Sequence, residues 1–295
     1  MHQNSVRGAR AKYDGLSRKV KVSIEMNAKT VALAEATILF KDVTYSVNGN
    51  ATHPIIDCIS LEIHAGETLV LLGRSGSGKT TLLRLINRLL LPEKGEVRVQ
   101  GRSTAQWDPI RLRRGIGYVI QEGGLFPHFT VAQNIGLVPN LEKWDASRIA
   151  RRVDELLNLV GLDPREFSAR HPHELSGGQR QRVGVARALA ADPPILLMDE
   201  PFGALDPVTR AELQREFSSL THRLGKTIVF VTHDLREALL LASRIVLLQS
   251  GRVVASAKPQ LFLQIDHPEV EAFAACLGTF HGSGTARDAV PGVST

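Results

Sequence analysis

A chain of 295 residues with 43% hydrophobic and 22% charged residues is ordinary globular composition, enough for one large α/β core or two modest domains, and it excludes a disordered protein. The net charge of +6 comes from basic residues spread along the chain and denser near the N-terminus, so a solvated surface is expected rather than a nucleic-acid partner. No run approaches ~18 uninterrupted apolar residues and no apolar segment follows the basic N-terminus, so the chain reads as soluble, and a membrane role needs a separate partner chain. Cys58 and Cys276 follow no metal spacing and read as buried thiols in a reducing compartment.

Residues 1–36 carry Arg7, Arg10, Lys12, Arg18, Lys19 and Lys21 with little apolar periodicity and read as a flexible basic arm, within which Met26 offers a second start. Residues 38–47 alternate as a strand, Asn48-Gly49-Asn50 marks a turn, and 59–63 alternate again, which predicts an antiparallel lead-in. The apolar run 68–72 then meets GRSGSGKT at 73–80, followed by a helical pattern through Leu82, Leu83, Leu85, Ile86, Leu89 and Leu90. Such a G-x-x-x-x-G-K-[ST] loop between strand and helix is a phosphate cradle. Gly76 and Gly78 let backbone N–H groups turn inward, the helix adds its positive end, Lys79 reaches the terminal phosphates, and Thr80 can ligate Mg²⁺.

Pro92 and Gly95 stop this pattern, and 97–100 and 116–120 read as short strands, the second ending at Gln121. Between Gln121 and Ser176 the chain is mainly helical; Asp145 stands as N-cap before Ile149, Val153, Leu156, Leu157 and Val160, and Gly161 closes the helix. Helices at 178–191, 207–224 and 235–242 then alternate with strands at 195–198, 227–231 and 245–248, which predicts a parallel sheet. The last residues, 279–295, are rich in small polar types and read as a disordered tail.

Two further strings carry chemistry. Ile195-Leu196-Leu197-Met198 ends in Asp199 and Glu200, and adjacent carboxylates beside a phosphate loop can divide the work, Asp199 holding the metal and Glu200 activating the attacking water. Leu175-Ser176-Gly177-Gly178-Gln179 repeats the physics of the first loop, with a hydroxyl N-cap and two glycines at a helix start. One nucleotide does not need two such ends.

At this point the chain resembles the ATP-binding subunits of ABC transporters over about 37–251. GRSGSGKT resembles Walker A, Gln121 the Q-loop, LSGGQ the signature, ILLMDE Walker B, Ala204-Leu205-Asp206 the D-loop, and His233 the switch histidine, all in family order. The resemblance implies an α/β P-loop ATPase with a mainly parallel sheet, an antiparallel β lead-in and an inserted helical subdomain at about 122–178. The ATPase domain spans 37–252, with a short helical extension at 253–278. It also implies a head-to-tail homodimer in which ATP and Mg²⁺ lie between one copy's loop, Gly73, Arg74, Ser75, Gly76, Ser77, Gly78, Lys79, Thr80 and Thr81, and the other's Ser176, Gly177, Gly178, Gln179 and Asp206. Glu200, His233 and Gln121 are the implied catalytic residues, and Thr80, Asp199 and Gln121 the implied metal ligands. The aromatic that stacks adenine in the family falls at Val47 in the preferred register, with Tyr45 on the same face.

QEGGLFPHFTVAQNIGLVPNLEKW and PFGALDPVTRAELQREF resemble the ATPases of bacterial osmoprotectant importers for glycine betaine, choline or carnitine. That implies a peripheral protein on the cytoplasmic face of the plasma membrane, with an integral permease and, through it, an external solute-binding protein as partners. Phe126, Pro127, Phe129 and Trp144 form either the lip that receives the permease or the helical segment's own core. The stretch after Gly251 is too short for the paired regulatory domains of some relatives. The remaining readings are amino-acid import, lipid trafficking, a non-transport ABC ATPase acting on ribosomes or DNA, and a lone P-loop kinase, which leaves LSGGQ without a role.

Overall fold

The computed structural model describes residues 36–47, 54–121, 124–203 and 205–278. The expected basic arm up to residue 35 with its second start at Met26, the turn at 48–50, Ala204 and the tail at 279–295 lie outside the described residues.

Two antiparallel strands open the chain, β1 (Ile38–Tyr45) and β2 (Ile56–Ile63). β3 (Thr68–Leu72) leads through the glycine-rich loop into α1 (Lys79–Ile86). β4 (Lys94–Val99) returns to pair with β1, and β5 (Arg102–Ser103) completes a four-stranded antiparallel sheet of order β2-β1-β4-β5. α2 (Pro109–Arg114) and β6 (Ile116–Val119) precede a helical stretch of α3 (Val131–Leu141), α4 (Ala146–Leu159) and α5 (Pro164–Phe167). α6 (Gly177–Leu189), β7 (Ile195–Asp199), α7 (Pro207–Leu224), β8 (Thr227–Thr232), α8 (Leu235–Leu241) and β9 (Arg244–Gln249) follow in strict alternation. β10 (Arg252–Ala257) then folds back before α9 (Pro259–Phe262) and α10 (Pro268–Gly278).

The second sheet has the order β10-β9-β3-β8-β7-β6, parallel throughout except for the β9–β10 hairpin. Its central strands are apolar runs because both faces are covered: all six residues of β8 are buried, whereas β2 alternates. Alternation still decides which layer each side chain enters. Leu69 and Leu71 of β3 join the cluster with α1 and the antiparallel sheet, while Val70 and Leu72 join the cluster with Phe202, Phe217, Phe230 and the long helices.

Several elements depart from the expected boundaries. The helix after the glycine-rich loop stops at Ile86, where Arg88 turns to φ +55, so Leu89 is 50% exposed rather than on a buried stripe. Gly95 lies inside β4 instead of ending a segment. At φ +77 it passes so close to β1 that a Cβ would strike the carbonyls of Lys41 and Asp42, where β1 is irregular. Asp145 occupies the N-cap of α4 without making a side-chain cap bond. Cys58 and Cys276 are both exposed, which corrects the expectation of buried thiols. β10 carries the sheet to Ala257, so the first residues of the expected helical extension at 253–278 form a strand instead, and Phe262 and Val270 of the following helices are buried in the core cluster.

Candidate nucleotide site

The parallel register puts the functional residues together. Leu72 pairs with Thr232 and Asp199 with Val231, so β3, β8 and β7 end along one sheet edge, with β6 and its successor Gln121 beside them. Loops leaving the carboxyl ends of parallel strands form the natural ligand crevice of an α/β sheet.

The loop after β3 is shaped by two left-handed glycines. Gly76 takes φ +80 and Gly78 φ +103, and a Cβ on Gly78 would lie 2.7 Å from Ile56 Cδ1, so only glycine fits there. Lys79 is 5% exposed, and its Nζ donates to the carbonyls of Gly73 at 2.8 Å and Arg74 at 2.9 Å. Burial lowers its pKa, opposed by the charges of Glu200 and Asp199. The ammonium thus sits inside the loop with acceptors that a phosphate can replace. Ser75 and Gly76 are exposed on the loop's outer turn, Thr81 is half-buried on α1, and the Ser77 hydroxyl is buried with no hydrogen-bond partner among the described residues.

Thr80 Oγ1 donates to Asp199 Oδ1 at 2.8 Å. Burial raises the Asp199 carboxyl, which Thr80 partly offsets. Tyr118 on β6 completes this corner with its hydroxyl 3.5 Å from Asp199 Oδ2, and burial followed by the nearby carboxylate pushes its phenol up to about 12. Sequence reading missed Tyr118; its only signal was one aromatic in a strand otherwise made of Ile, Gly and Val.

Glu200 takes φ +44, a conformation costly for a residue with a side chain, and its N–H donates to Val231 O at 3.1 Å. Its Oε2 lies 3.1 Å from Nδ1 of His233. Gly203 backs the pair: a Cβ there would stand 3.8 Å from Glu200 Oε2 and 3.9 Å from Gln121 Nε2, so the Gln121 amide and the Glu200 carboxylate share one neighbourhood.

The LSGGQ string is organised around its own helix. Ser176 Oγ accepts from the Gln179 N–H at 3.2 Å, and Gln179 Oε1 accepts from the Ser176 N–H at 2.9 Å, a complete capping box for α6. Gly178 leaves room for α7, since a Cβ would sit 2.7 Å from Thr209 Cγ2, and the nearest neighbour of Gly177 is Leu205. Asp206 caps α7 by accepting from the Val208 and Thr209 N–H groups, which lower its pKa. The side chains of Ser176, Gln179 and Asp206 are therefore held by their own helices, and among the described residues none of them hydrogen-bonds to Lys79, Thr80 or Asp199.

Around the rim, β1 ends at Tyr45, which packs partly against the core, while Val47 beyond it is 52% exposed; strand alternation does not carry from one to the other. The Phe126 and Phe129 rings meet at a tilt of 40° with centroids 5.4 Å apart and form a lip on which Phe126 is exposed and Phe129 half-buried. Their loop is pinned by the fully buried Asn134, which accepts from the Phe126 N–H and donates to the carbonyls of Phe126, Phe129 and Thr130. Trp144 instead carries Arg148 over its ring at 3.5 Å and lines a separate cleft with Arg151 and Leu159.

A phosphate loop, a hydroxyl–carboxylate pair and a carboxylate–imidazole pair on one sheet edge, with a second glycine-bearing helix start set apart, define an ATP-binding cassette. The chain belongs to the ABC transporter family: residues 56–203 match the family model described as ABC transporter. It is 54% identical over 209 residues to the glycine betaine/carnitine/choline transport ATP-binding protein OpuCA of Bacillus subtilis (strain 168), covering 71% of this chain and 55% of that one. It is 53% identical over 208 residues to the glycine betaine uptake system ATP-binding protein YehX of Escherichia coli (strain K12), covering 70% and 67%. Among solved structures, a dimeric post-hydrolysis state of the ATP-binding cassette MJ0796 bound to ADP and Pi matches with TM-score 0.67 and 36% identity, over 75% of this chain and 98% of that one. OpuCA-type relatives are longer, and this chain spans about half their length.

Proposed function

We propose that this chain is the ATP-binding and hydrolysing subunit of an importer that takes up an osmoprotectant quaternary ammonium compound of the glycine betaine or choline type through a separate permease. The observation that carries the reading is the meeting of Lys79, the Thr80–Asp199 pair and the Glu200–His233 pair at one sheet edge. The cargo rests on relatives named for glycine betaine, carnitine and choline transport.

The loop from Gly73 to Thr81 wraps the phosphates of ATP with its N–H groups, and Lys79 exchanges its two backbone carbonyls for phosphate oxygens. Thr80 and Asp199 offer adjacent oxygen donors, the donor type that suits a hard divalent cation, and with Gln121 they would hold Mg²⁺. When bound, that ion neutralises charge on the terminal phosphates. Glu200 accepts a proton from the attacking water, and His233, whose Nδ1 faces that carboxylate, contacts the γ-phosphate and steadies it as negative charge builds.

The partner copy supplies Ser176, Gly177, Gly178, Gln179 and Asp206 across a head-to-tail homodimer. This accounts for a second helix start that lies outside the Lys79 corner. Residues 37–257 form the ATPase domain, whose sheet ends at β10, 122–178 its helical subdomain with the Phe126–Phe129 lip toward the permease, and 258–278 an extension packed on the core. Among the described residues no helix is long and apolar enough to cross a membrane, which fits peripheral attachment at the cytoplasmic face through that permease.

The test is an affinity pull-down of tagged Glu200→Gln chain from detergent-solubilised native membranes with ATP. Co-purification of a multi-span permease and a solute-binding protein that binds betaine or choline is the expected result. A solute-binding protein that takes amino acids or lipids overturns the cargo, and ribosomal or DNA-associated chains without a membrane protein overturn the transport reading.

A further inference from the structure

The glycine-rich loop is tied to the far end of the chain. Arg74, its second residue, points its guanidinium away from the cradle onto α10, where Nε lies 2.6 Å from Glu269 Oε1 and a terminal nitrogen 3.2 Å from Oε2. The pairing is bidentate and asymmetric in exposure, the Arg74 side chain being 69% accessible and that of Glu269 7%. Glu269 is fixed from its own side as well: its N–H donates to His267 Nδ1 at 3.1 Å, and Gln249 at the end of β9 reaches its Oε2 at 3.4 Å. It stands in the first turn of α10, where the helix dipole favours a carboxylate.

The same Arg74 gives its backbone carbonyl to Lys79, so one residue joins α10 on the outside of the loop to the ammonium on the inside. A second tie comes from the β9–β10 turn, where the Gly251 N–H donates to Ser77 O at 3.2 Å. α10 does not float. Val270 is buried in the cluster that holds Leu235, Ala238 and Leu241 of α8, the helix that begins just after His233. One short helix therefore braces both the phosphate loop and the element behind the imidazole.

We infer that Glu269 is a positioning residue of the nucleotide site, holding the Arg74 end of the loop in its phosphate-ready shape from α10. The inference rests on the ATPase reading above. A loop already in shape loses less conformational freedom on binding, so the clamp acts on nucleotide affinity more than on the chemical step.

The experiment compares wild type, Glu269→Gln, Arg74→Ala and the double variant of the full chain, measuring Kd for ATP, KM and kcat, and hydrogen exchange of the 74–78 amides without nucleotide. Arg74→Ala alters an exposed side chain and keeps the test open should the buried Glu269 variant fold poorly. Each single variant is expected to raise Kd and KM about five-fold, the scale of one partly screened ion pair, with kcat nearly unchanged. The double variant should match the singles, because both remove one interaction. Faster exchange confined to 74–78 supports the same conclusion. Unaltered Kd in both single variants, or a double variant whose losses multiply, overturns the clamp while leaving the ATPase reading intact; wild-type chain that binds no ATP overturns both.

Discussion

Nδ1 of His233 lies 3.1 Å from Oε2 of Glu200, two side chains delivered by adjacent parallel strands, β8 and β7. The contact gives each residue its own signature. Glu200→Gln keeps the shape and the neighbour but removes the proton acceptor, so ATP should still bind while turnover falls roughly 10²–10⁴-fold. His233→Ala should lower turnover on the order of 10²-fold. Because the two act as a unit, the double variant should be little worse than Glu200→Gln alone. Steady-state phosphate release with a parallel ATP-binding titration decides this; parent-rate hydrolysis by Glu200→Gln would sink the base assignment.

Lys79 is held by two carbonyls of its own loop, so the cradle keeps its charge in place before any phosphate arrives. Lys79→Ala removes charge-assisted bonds worth about 1.5–3 kcal/mol, which weakens ATP binding roughly ten- to a hundred-fold. Calorimetric titration measures it, and an unchanged Kd would mean that phosphate is bound elsewhere.

What could be read from the sequence was whatever announces itself locally. The runs TLVLL, ILLMD and TIVFVT are apolar along their middles, with polar residues only at their ends, because they lie between two covered faces, and helices must cross between parallel neighbours. β10, RVVASA, was missed because an edge strand of small residues has little apolar bulk, and α2, PIRLRR, because it presents charge and is set by its Asp108 cap and Pro109 instead. In the site, Lys79, Thr80, Asp199, Glu200 and His233 were legible from motif and order. Tyr118, Asn134 and Glu269 were not, since each acquires its partner only from tertiary placement.

Glu237 offers a test in pH. It is 5% exposed, accepting from Thr232 Oγ1 at 2.5 Å and Gln214 Nε2 at 2.9 Å, and burial raises its carboxyl, opposed first by the Thr232 hydrogen bond and then by Gln214 and Arg210, with Asp234 adding to the shift. The folded chain therefore keeps this proton to higher pH than the unfolded chain does. Its contribution to stability is fullest below the unfolded carboxylate value and falls as pH rises from there to the raised folded value. Glu237→Gln stays neutral and can keep both hydrogen bonds if Gln214 turns its amide. Relative to wild type, the variant should gain stability across that window and hold the gain at pH 7, as read from urea unfolding at stepped pH; parallel curves would show that Glu237 titrates as an ordinary carboxylate.

Asn134 gives the last expected outcome. Its amide accepts one N–H and donates to three carbonyls of the 126–130 loop, and no part of it meets solvent. In Asn134→Ala the Phe126 N–H and the Phe129 carbonyl lose their buried partner, while the Phe126 and Thr130 carbonyls keep the backbone N–H groups of Phe129 and residue 134, and the cost is the desolvation of the two groups left unsatisfied rather than the modest net worth of a satisfied bond. About 2–4 kcal/mol of stability should go, by urea unfolding, and the loss should be local: amides of Phe126 and its neighbours exchange faster while those of α7 keep their protection. Asn134→Asp separates the two roles of the side chain, because its carboxylate still accepts from the Phe126 N–H but faces three carbonyls with no proton to give. It should be at least as damaging as alanine at neutral pH and recover toward acid, where the carboxyl regains a donor. Equal stability of wild type and alanine variant would mean that the Phe126–Phe129 lip is held by its ring contacts alone.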